Sequence, residues 1–253
     1  MGKILTVANQ KGGVAKTTTS VNLSAALASL EKRVLLVDMD PQGNATSGLG
    51  FDKHQKMRCI YDVLINEYPL AKVVLQTEVE GFFVAPATIQ LAGAEIELVT
   101  AISREKKFKE ALDPIKDEYD YVVVDCPPSL GLLTLNALTA ADGALIPVQC
   151  EYYALEGLSQ LIDTVQLAKK HLNPSLDIFG VVLTMYDART NLSEQVVGEV
   201  RRFFKEKTFD TVISRNVRLS EAPSYGKPIA LYDPKSKGAD QYMALAREVI
   251  ARG

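Results

Sequence analysis

The 253-residue chain has little of what builds metal or disulfide scaffolds. Its three cysteines, Cys59, Cys126 and Cys150, are far apart and form no CxxC pair. That speaks against zinc sites and disulfide frameworks and fits a reducing cytosol. Two histidines, His54 and His171, are too few for a metal cluster. No run of 18 apolar residues occurs, since Leu130–Val148 is broken by Asn136 and Asp142, so no membrane span is expected. The first strand begins at Ile4, which leaves no room for a signal peptide before it. There is no excess of positive charge: the formal net charge is −3, so any contact with nucleic acid must come from a local patch. Repeats, low-complexity tracts and linkers are missing too.

With 47% hydrophobic and 23% charged residues, the chain suits one compact globular domain over 1–253. Continuous apolar runs predict strands at Ile4–Ala8, Val34–Val37, Phe82–Ala85, Tyr121–Val124, Ala144–Val148, Phe179–Thr184 and Thr211–Ile213. Continuity without alternation is the pattern of strands covered on both faces. Helical periodicity predicts helices at Thr18–Leu30, Lys106–Lys116, Leu133–Ala140, Leu155–Leu172, Glu194–Lys207 and Asp240–Ile250. This βα rhythm predicts an α/β fold, a doubly wound and mostly parallel sheet with helices on both faces. Phe51–Leu75, mixed in charge and weakly periodic, reads as a surface excursion near the ligand cleft.

The most informative stretch is Ile4–Thr19, where a strand meets Asn9-Gln10-Lys11-Gly12-Gly13-Val14-Ala15-Lys16-Thr17-Thr18 and a helix follows. A glycine turn opening a helix points backbone N–H groups at an anion, and a lysine adds charge. The loop is unusual: Gln10 stands where the first glycine is customary, Ala15 where a glycine precedes the lysine, and Lys11 is an additional lysine. A positive φ at Ala15 would cost about 1–2 kcal/mol, whereas a negative φ would make alanine harmless. The intact residues around it lead to the expectation that alanine is tolerated.

Three further segments carry chemistry. Val34–Thr46 places Asp38 and Asp40 at the end of a buried strand, where open α/β sheets bind ligands, and an exposed Asp40 could polarise a water. Either acid could instead cap a turn. Tyr121–Ser129 ends a strand in Asp125, suited to the shell of a Mg²⁺ ion, followed by a Pro-Pro-Ser loop. Thr17 offers a hydroxyl to the same ion, and Cys126 reads as a small core residue. Val212–Pro228 is the fourth segment. Arg189 and Arg218, taken by themselves, read as ordinary exposed loop arginines.

Taken in order and spacing from Lys3 to Arg252, these segments resemble the ParA/MinD family of deviant Walker A P-loop ATPases, and its ParA branch in particular. The resemblance implies ATP and Mg²⁺ as cofactors. Nucleotide is then held by Lys11, Gly12, Gly13, Val14, Ala15, Lys16, Thr17 and Thr18, the metal by Thr17 and Asp125, and the base by Ser214 and Asn216. It implies catalytic roles for Asp40 and for Lys11, which would reach the nucleotide of the other subunit. An ATP-bound homodimer, sequence-blind binding of double-stranded DNA through Arg189 and Arg218, and a ParB-type partner that speeds slow hydrolysis are further implications. So is a cytoplasmic, nucleoid-associated location. The family usually has proline at the position of Ser214. A MinD-like membrane ATPase is the alternative. It calls for a basic amphipathic C-terminal tail, while Tyr242, Leu245, Val249 and Ile250 read as core-facing. The redox branch with a shared iron–sulfur cluster is disfavoured by the spacing of Cys126 and Cys150. With no helix-turn-helix segment ahead of Ile4, operator-specific repression is not expected.

Overall fold

The computed structural model describes residues 2–151 and 158–253. The first half contains β1 (Lys3–Val7), α1 (Lys16–Ser29), β2 (Val34–Asp38), α2 (Asn44–Gly48), α3 (Ile60–Asn66), β3 (Leu75–Gln76), β4 (Phe82–Ala85), α4 (Leu91–Glu97), α5 (Lys107–Leu112) and β5 (Tyr121–Asp125). The second half contains α6 (Leu132–Ala140), β6 (Gly143–Gln149), α7 (Leu158–His171), β7 (Asp177–Tyr186), α8 (Asn191–Phe204), β8 (Thr208–Ser214), α9 (Val217–Glu221), α10 (Ile229–Tyr232) and α11 (Lys237–Arg252). The predicted helix start at residues 155–157 lies outside the described residues.

The strands form one sheet in the order β3-β4-β2-β5-β1-β6-β7-β8. Every pairing is parallel except that of the edge strand β3 with β4. Successive residues of β1 serve opposite faces: Ile4 joins the core beneath α3 to α8, and Leu5 joins the core beneath α1 and α11. Both faces are therefore apolar, which is why the strands read as continuous hydrophobic runs. In the parallel register Val7 lies opposite Asp125, and Asp125 opposite Asp38, so the ends of β1, β5 and β2 converge at one point of the sheet's carboxyl edge.

Two expectations need correction. Residues 51–75 are not merely a surface excursion, because α3 buries Ile60, Val63 and Leu64, and Leu70 and Val73 follow them into the core. Two helical turns are too short to display a period. The helix expected at Lys106–Lys116 stops at Leu112, two residues before Pro114, whose ring nitrogen has no N–H to continue the helical hydrogen-bond ladder.

Candidate nucleotide and metal site

The loop between β1 and α1 is tied down on both flanks. Asn9 Nδ2 donates to the carbonyl of Pro147 (2.8 Å) while Asn9 Oδ1 accepts the Lys11 N–H (3.0 Å). Thr184 Oγ1, on β7, donates to the Val14 carbonyl (3.1 Å). Between these anchors Gly12 and Gly13 are exposed, and a Cβ built on either would meet nothing within 4 Å. The 14-residue helix α1 begins beneath them with no acidic residue in its first turn. Open space over a fixed loop, at an uncompensated helix N-terminus, fits a phosphate chain.

Ala15 is the N-cap of α1 and adopts φ 66°, ψ 33°, the left-handed region. The harmless negative-φ alternative is thus not the one realised: alanine occupies a conformation that favours glycine, and its methyl group carries a steric cost.

Lys16 is buried, and its ammonium donates to the carbonyl of Lys11 (3.1 Å), folding the side chain back over its own loop. Burial lowers its pKa, and the charges of Asp125 and Asp40 oppose that effect. Lys11 is half-buried, and no described residue pairs with its ammonium.

Asp125 is fully buried at the end of β5. Thr17 Oγ1 donates to its Oδ2 (2.8 Å), and Ser20 Oγ donates to its Oδ1 (2.8 Å). Burial, with the charge of Asp38 next to it, pushes this carboxyl up to about 7. The donors here are hard oxygens on a hydroxyl and a carboxylate, which suit Mg²⁺ rather than a softer metal. Thr17 and Asp125 are the residues that would hold the ion, directly or through water. Among the described residues no cluster of three or more His, Cys, Asp or Glu suggests a separate metal centre.

Asp38 is also fully buried. Its Oδ2 accepts the N–H (2.8 Å) and hydroxyl (2.7 Å) of Thr46, and its Oδ1 accepts the Asp40 N–H (3.2 Å). Thr46 Oγ1 in turn accepts the Ala87 N–H (2.9 Å). Asp38 therefore fastens the loop after β2 to α2 and to the end of β4. Asp40 is buried rather than exposed, with Oδ1 taken by the Gln42 N–H (2.9 Å). Its carboxylate faces the Lys16–Asp125 neighbourhood electrostatically, but in this state it also serves as a turn acceptor.

Beside the loop lies a cavity of about 360 Å³. Ala15, Thr18, Met185, Ser214, Asn216 and Tyr242 are among its walls. Tyr242, from α11, is buried and its hydroxyl meets Thr19 Oγ1 at 3.3 Å, coupling the last helix to the first. Ser214 gives its N–H to Gln241 Oε1 (3.0 Å) and accepts Gln241 Nε2 (2.9 Å), a pairing that a proline could not make through nitrogen. Asn216 caps α9 by accepting the Arg218 N–H at Oδ1 (2.9 Å), and its Nδ2 donates to no described residue. Met185, in the left-handed region at φ 52°, marks a bend at the end of β7.

Arg189 and Arg218 lie just beyond this cavity. Arg189 has an 85% exposed side chain and forks onto Asp187 through Nε (2.9 Å) and Nη2 (2.7 Å). Arg218, 55% exposed, pairs with Glu221 (3.0 Å) and Asp233 (3.5 Å). The residues named from sequence thus fall into two groups, one around Asp125 and one on the loops after β7 and β8. Sequence reasoning missed Asn9, Ser20, Thr46, Thr184 and Tyr242. Only Ser20 left a usable sign, lying three residues after Thr17 and so on the same helix face.

Residues 2–178 match the AAA domain family. The sporulation initiation inhibitor protein Soj of Bacillus subtilis is 64% identical over 253 residues, covering all of both chains. The chromosome partitioning protein ParA of Myxococcus xanthus is 57% identical, over all of this chain and 89% of its own. A crystal structure of cobyrinic acid a,c-diamide synthase from Mycobacterium smegmatis, with bound ADP and magnesium, superposes with a TM-score of 0.87. It is 39% identical, and the match covers 99% of this chain and 94% of that one. With a phosphate loop, a buried strand-end aspartate and this degree of likeness, the chain belongs to the Soj/ParA family of P-loop ATPases within the AAA domain family.

Proposed function

We propose that this protein is an ATP-dependent chromosome- or plasmid-partitioning ATPase, acting as a single 1–253 unit whose ATP-bound homodimer holds double-stranded DNA by its phosphates. The observation that carries this reading is a shared pair of strand ends. The ends of β7 and β8 supply Met185, Ser214 and Asn216 to the cavity and, a few residues on, Arg189 and Arg218 to the surface. A nucleotide in that cavity would touch the backbone that carries the arginines, giving ATP a physical hold on DNA affinity. The closeness to Soj and ParA supports the same reading.

In this scheme Gly12, Gly13, Val14, Ala15 and Thr18 line the phosphate and ribose path, Lys16 leaves the Lys11 carbonyl to meet phosphate, and Asn216 Nδ2 donates to the base. Mg²⁺ held at Thr17 and Asp125 would supply charge neutralisation between the terminal phosphates. Asp40 is buried and serves as a turn acceptor through Oδ1, so orienting a water with its remaining lone pairs awaits closure of the site, which makes unassisted turnover slow. Lys11, whose ammonium pairs with no described residue, would reach the nucleotide of a second subunit. Two arginines per subunit give about four phosphate contacts in a dimer and a log–log salt slope of about −3.6, blind to base sequence. A ParB-type protein would trigger hydrolysis and release. A cytoplasmic, nucleoid-associated location accompanies this role, and no helix of the described residues is long and apolar enough to cross a membrane. The MinD-like alternative draws no support from the arginine-bearing loops.

Co-sedimentation with random-sequence duplex DNA in the presence of no nucleotide, ADP or ATP–Mg²⁺ tests the proposal. Binding confined to the ATP state supports it. Binding to anionic liposomes but not to DNA in that state overturns it in favour of the membrane branch.

A further inference from the structure

Between Arg189 and Arg218 the chain carries a third arginine on the same face. Arg215 directly follows β8, and its N–H donates to the carbonyl of Tyr186 at the end of β7 (2.9 Å). That bond clamps the two strand ends side by side and sets Arg215 next to the Asp187–Arg189 turn. Its charge, after those of Arg189, contributes to holding the Asp187 carboxyl low. On the other side, Asn216 lines the cavity, Val217 opens α9 and is 69% exposed, and Arg218 follows it. Arg215 is itself 59% exposed. Its guanidinium makes one ion pair, Nη2 to Glu151 Oε1 at 2.8 Å, and Glu151 is 45% exposed.

Each arginine of this strip is thus paired with a carboxylate: Arg189 with Asp187, Arg215 with Glu151, Arg218 with Glu221 and Asp233. Three positive and four negative charges leave the strip without an attractive field, consistent with the chain's overall charge of −3. An exposed single-contact pair such as Arg215–Glu151 contributes little to stability. A DNA phosphate offers the same guanidinium two acceptor oxygens in a fork geometry and a compensating release of counterions. The exchange of Glu151 for phosphate is therefore favourable in a way that a buried structural arginine would not permit.

We propose that Arg215 is a third phosphate-contacting residue of the DNA face and that Glu151 competes with DNA for it. This rests on the DNA-binding reading given above. With three arginines per subunit a dimer makes about six contacts, and the salt slope steepens to about −5.4 instead of −3.6.

The test is fluorescence anisotropy of the full-length protein with a random-sequence duplex in ATP–Mg²⁺, over a salt series, for wild type, Arg215→Ala, Arg215→Lys and Glu151→Gln. Affinity for a fluorescent ATP analogue is measured in parallel, because Arg215 is itself among the residues that line the cavity. Arg215→Ala should flatten the slope by about 1.8 and weaken DNA binding on the order of 50-fold at 0.1 M salt, with ATP-analogue affinity unchanged. Arg215→Lys should restore most of the slope. Glu151→Gln should tighten DNA binding about two- to fivefold without changing the slope. Wild-type binding that Arg215→Ala leaves untouched overturns the assignment of Arg215 alone. Loss of ATP-analogue affinity in parallel with DNA affinity also overturns it, placing the side chain in the nucleotide site. Weaker binding by Glu151→Gln overturns the competitor role, and absence of ATP-dependent binding by wild type overturns the DNA reading beneath it.

Discussion

Replacing Ala15 by glycine removes one methyl group from the N-cap of α1, where the backbone sits at φ 66° and ψ 33°. An L-residue with a Cβ in the left-handed region loses about 1–2 kcal/mol relative to the right-handed one. Glycine lacks that loss but has a freer unfolded chain, which returns about 0.4–1 kcal/mol. The two effects leave Ala15→Gly more stable by roughly 0.5–1 kcal/mol, and in a chain of this length that raises Tm by about 1–4 °C. The effect is local to the backbone. The same chemistry in reverse, Gly13→Ala at φ 75°, should destabilise by roughly 0.5–1 kcal/mol, although the added methyl meets no neighbouring atom within 4 Å. Thermal unfolding of the nucleotide-free protein, followed by circular dichroism, reads both changes. An unchanged or lower Tm for Ala15→Gly would refute the claim of stored strain and mean that alanine relaxes out of the left-handed region. Equilibrium binding of ATP–Mg²⁺ extends the test. If nucleotide keeps residue 15 left-handed, the glycine variant should bind with equal or tighter affinity.

Three other outcomes are expected. Asp40→Ala should keep ATP affinity within a few-fold and lower turnover at least tenfold, read by phosphate release; wild-type turnover would remove Asp40 from the chemistry. Arg218→Glu should abolish DNA binding and leave ATP-driven dimerisation intact, read by anisotropy and by light scattering; simultaneous loss of both would contradict the placement of Arg218 on the DNA face. In the nucleotide-free protein Asp38 and Asp125 are raised to about 6 and about 7, chiefly by burial, above their ordinary unfolded values. The folded state therefore holds more protons than the unfolded one, so stability contributed by the protonated pair is lost as pH rises from 5 through 7. Tm should fall over that window, and less so in Asp125→Asn; a Tm that rises across it would mean that the pair is ionised throughout.

The parts of the site that were legible in the sequence are those where one residue type does one job in a fixed local frame. Lys16 and Thr17 at the mouth of a helix, and Asp125 at the end of an apolar run, declare themselves because strand–turn–helix geometry follows from adjacent residues. What stayed hidden depends on distant partners. Asn9 reaching Pro147, Thr184 reaching Val14 and Tyr242 reaching Thr19 span 138, 170 and 223 positions, and nothing local marks them. The sign of φ at Ala15 is hidden for a different reason: both readings are physically allowed, and no neighbouring residue type distinguishes them. The sheet was legible because its inner strands are buried on both sides, whereas β3, two residues long, antiparallel and half-exposed, is too short to show a strand pattern.

The bond from Tyr242 to Thr19 has a consequence for how the protein is made. β1 needs β5 and β6 as neighbours, and the helix behind the loop needs α11, a 16-residue helix whose Tyr242 follows Thr19 by 223 positions, as its floor. Arg252, next to the final residue, closes that helix down by bonding the carbonyls of Lys207 and Thr208 and stacking on Phe209. The nascent chain therefore synthesises its nucleotide loop well before it completes the support under it. A prematurely terminated product would carry the entire phosphate-binding motif and lack the scaffold that keeps it in shape.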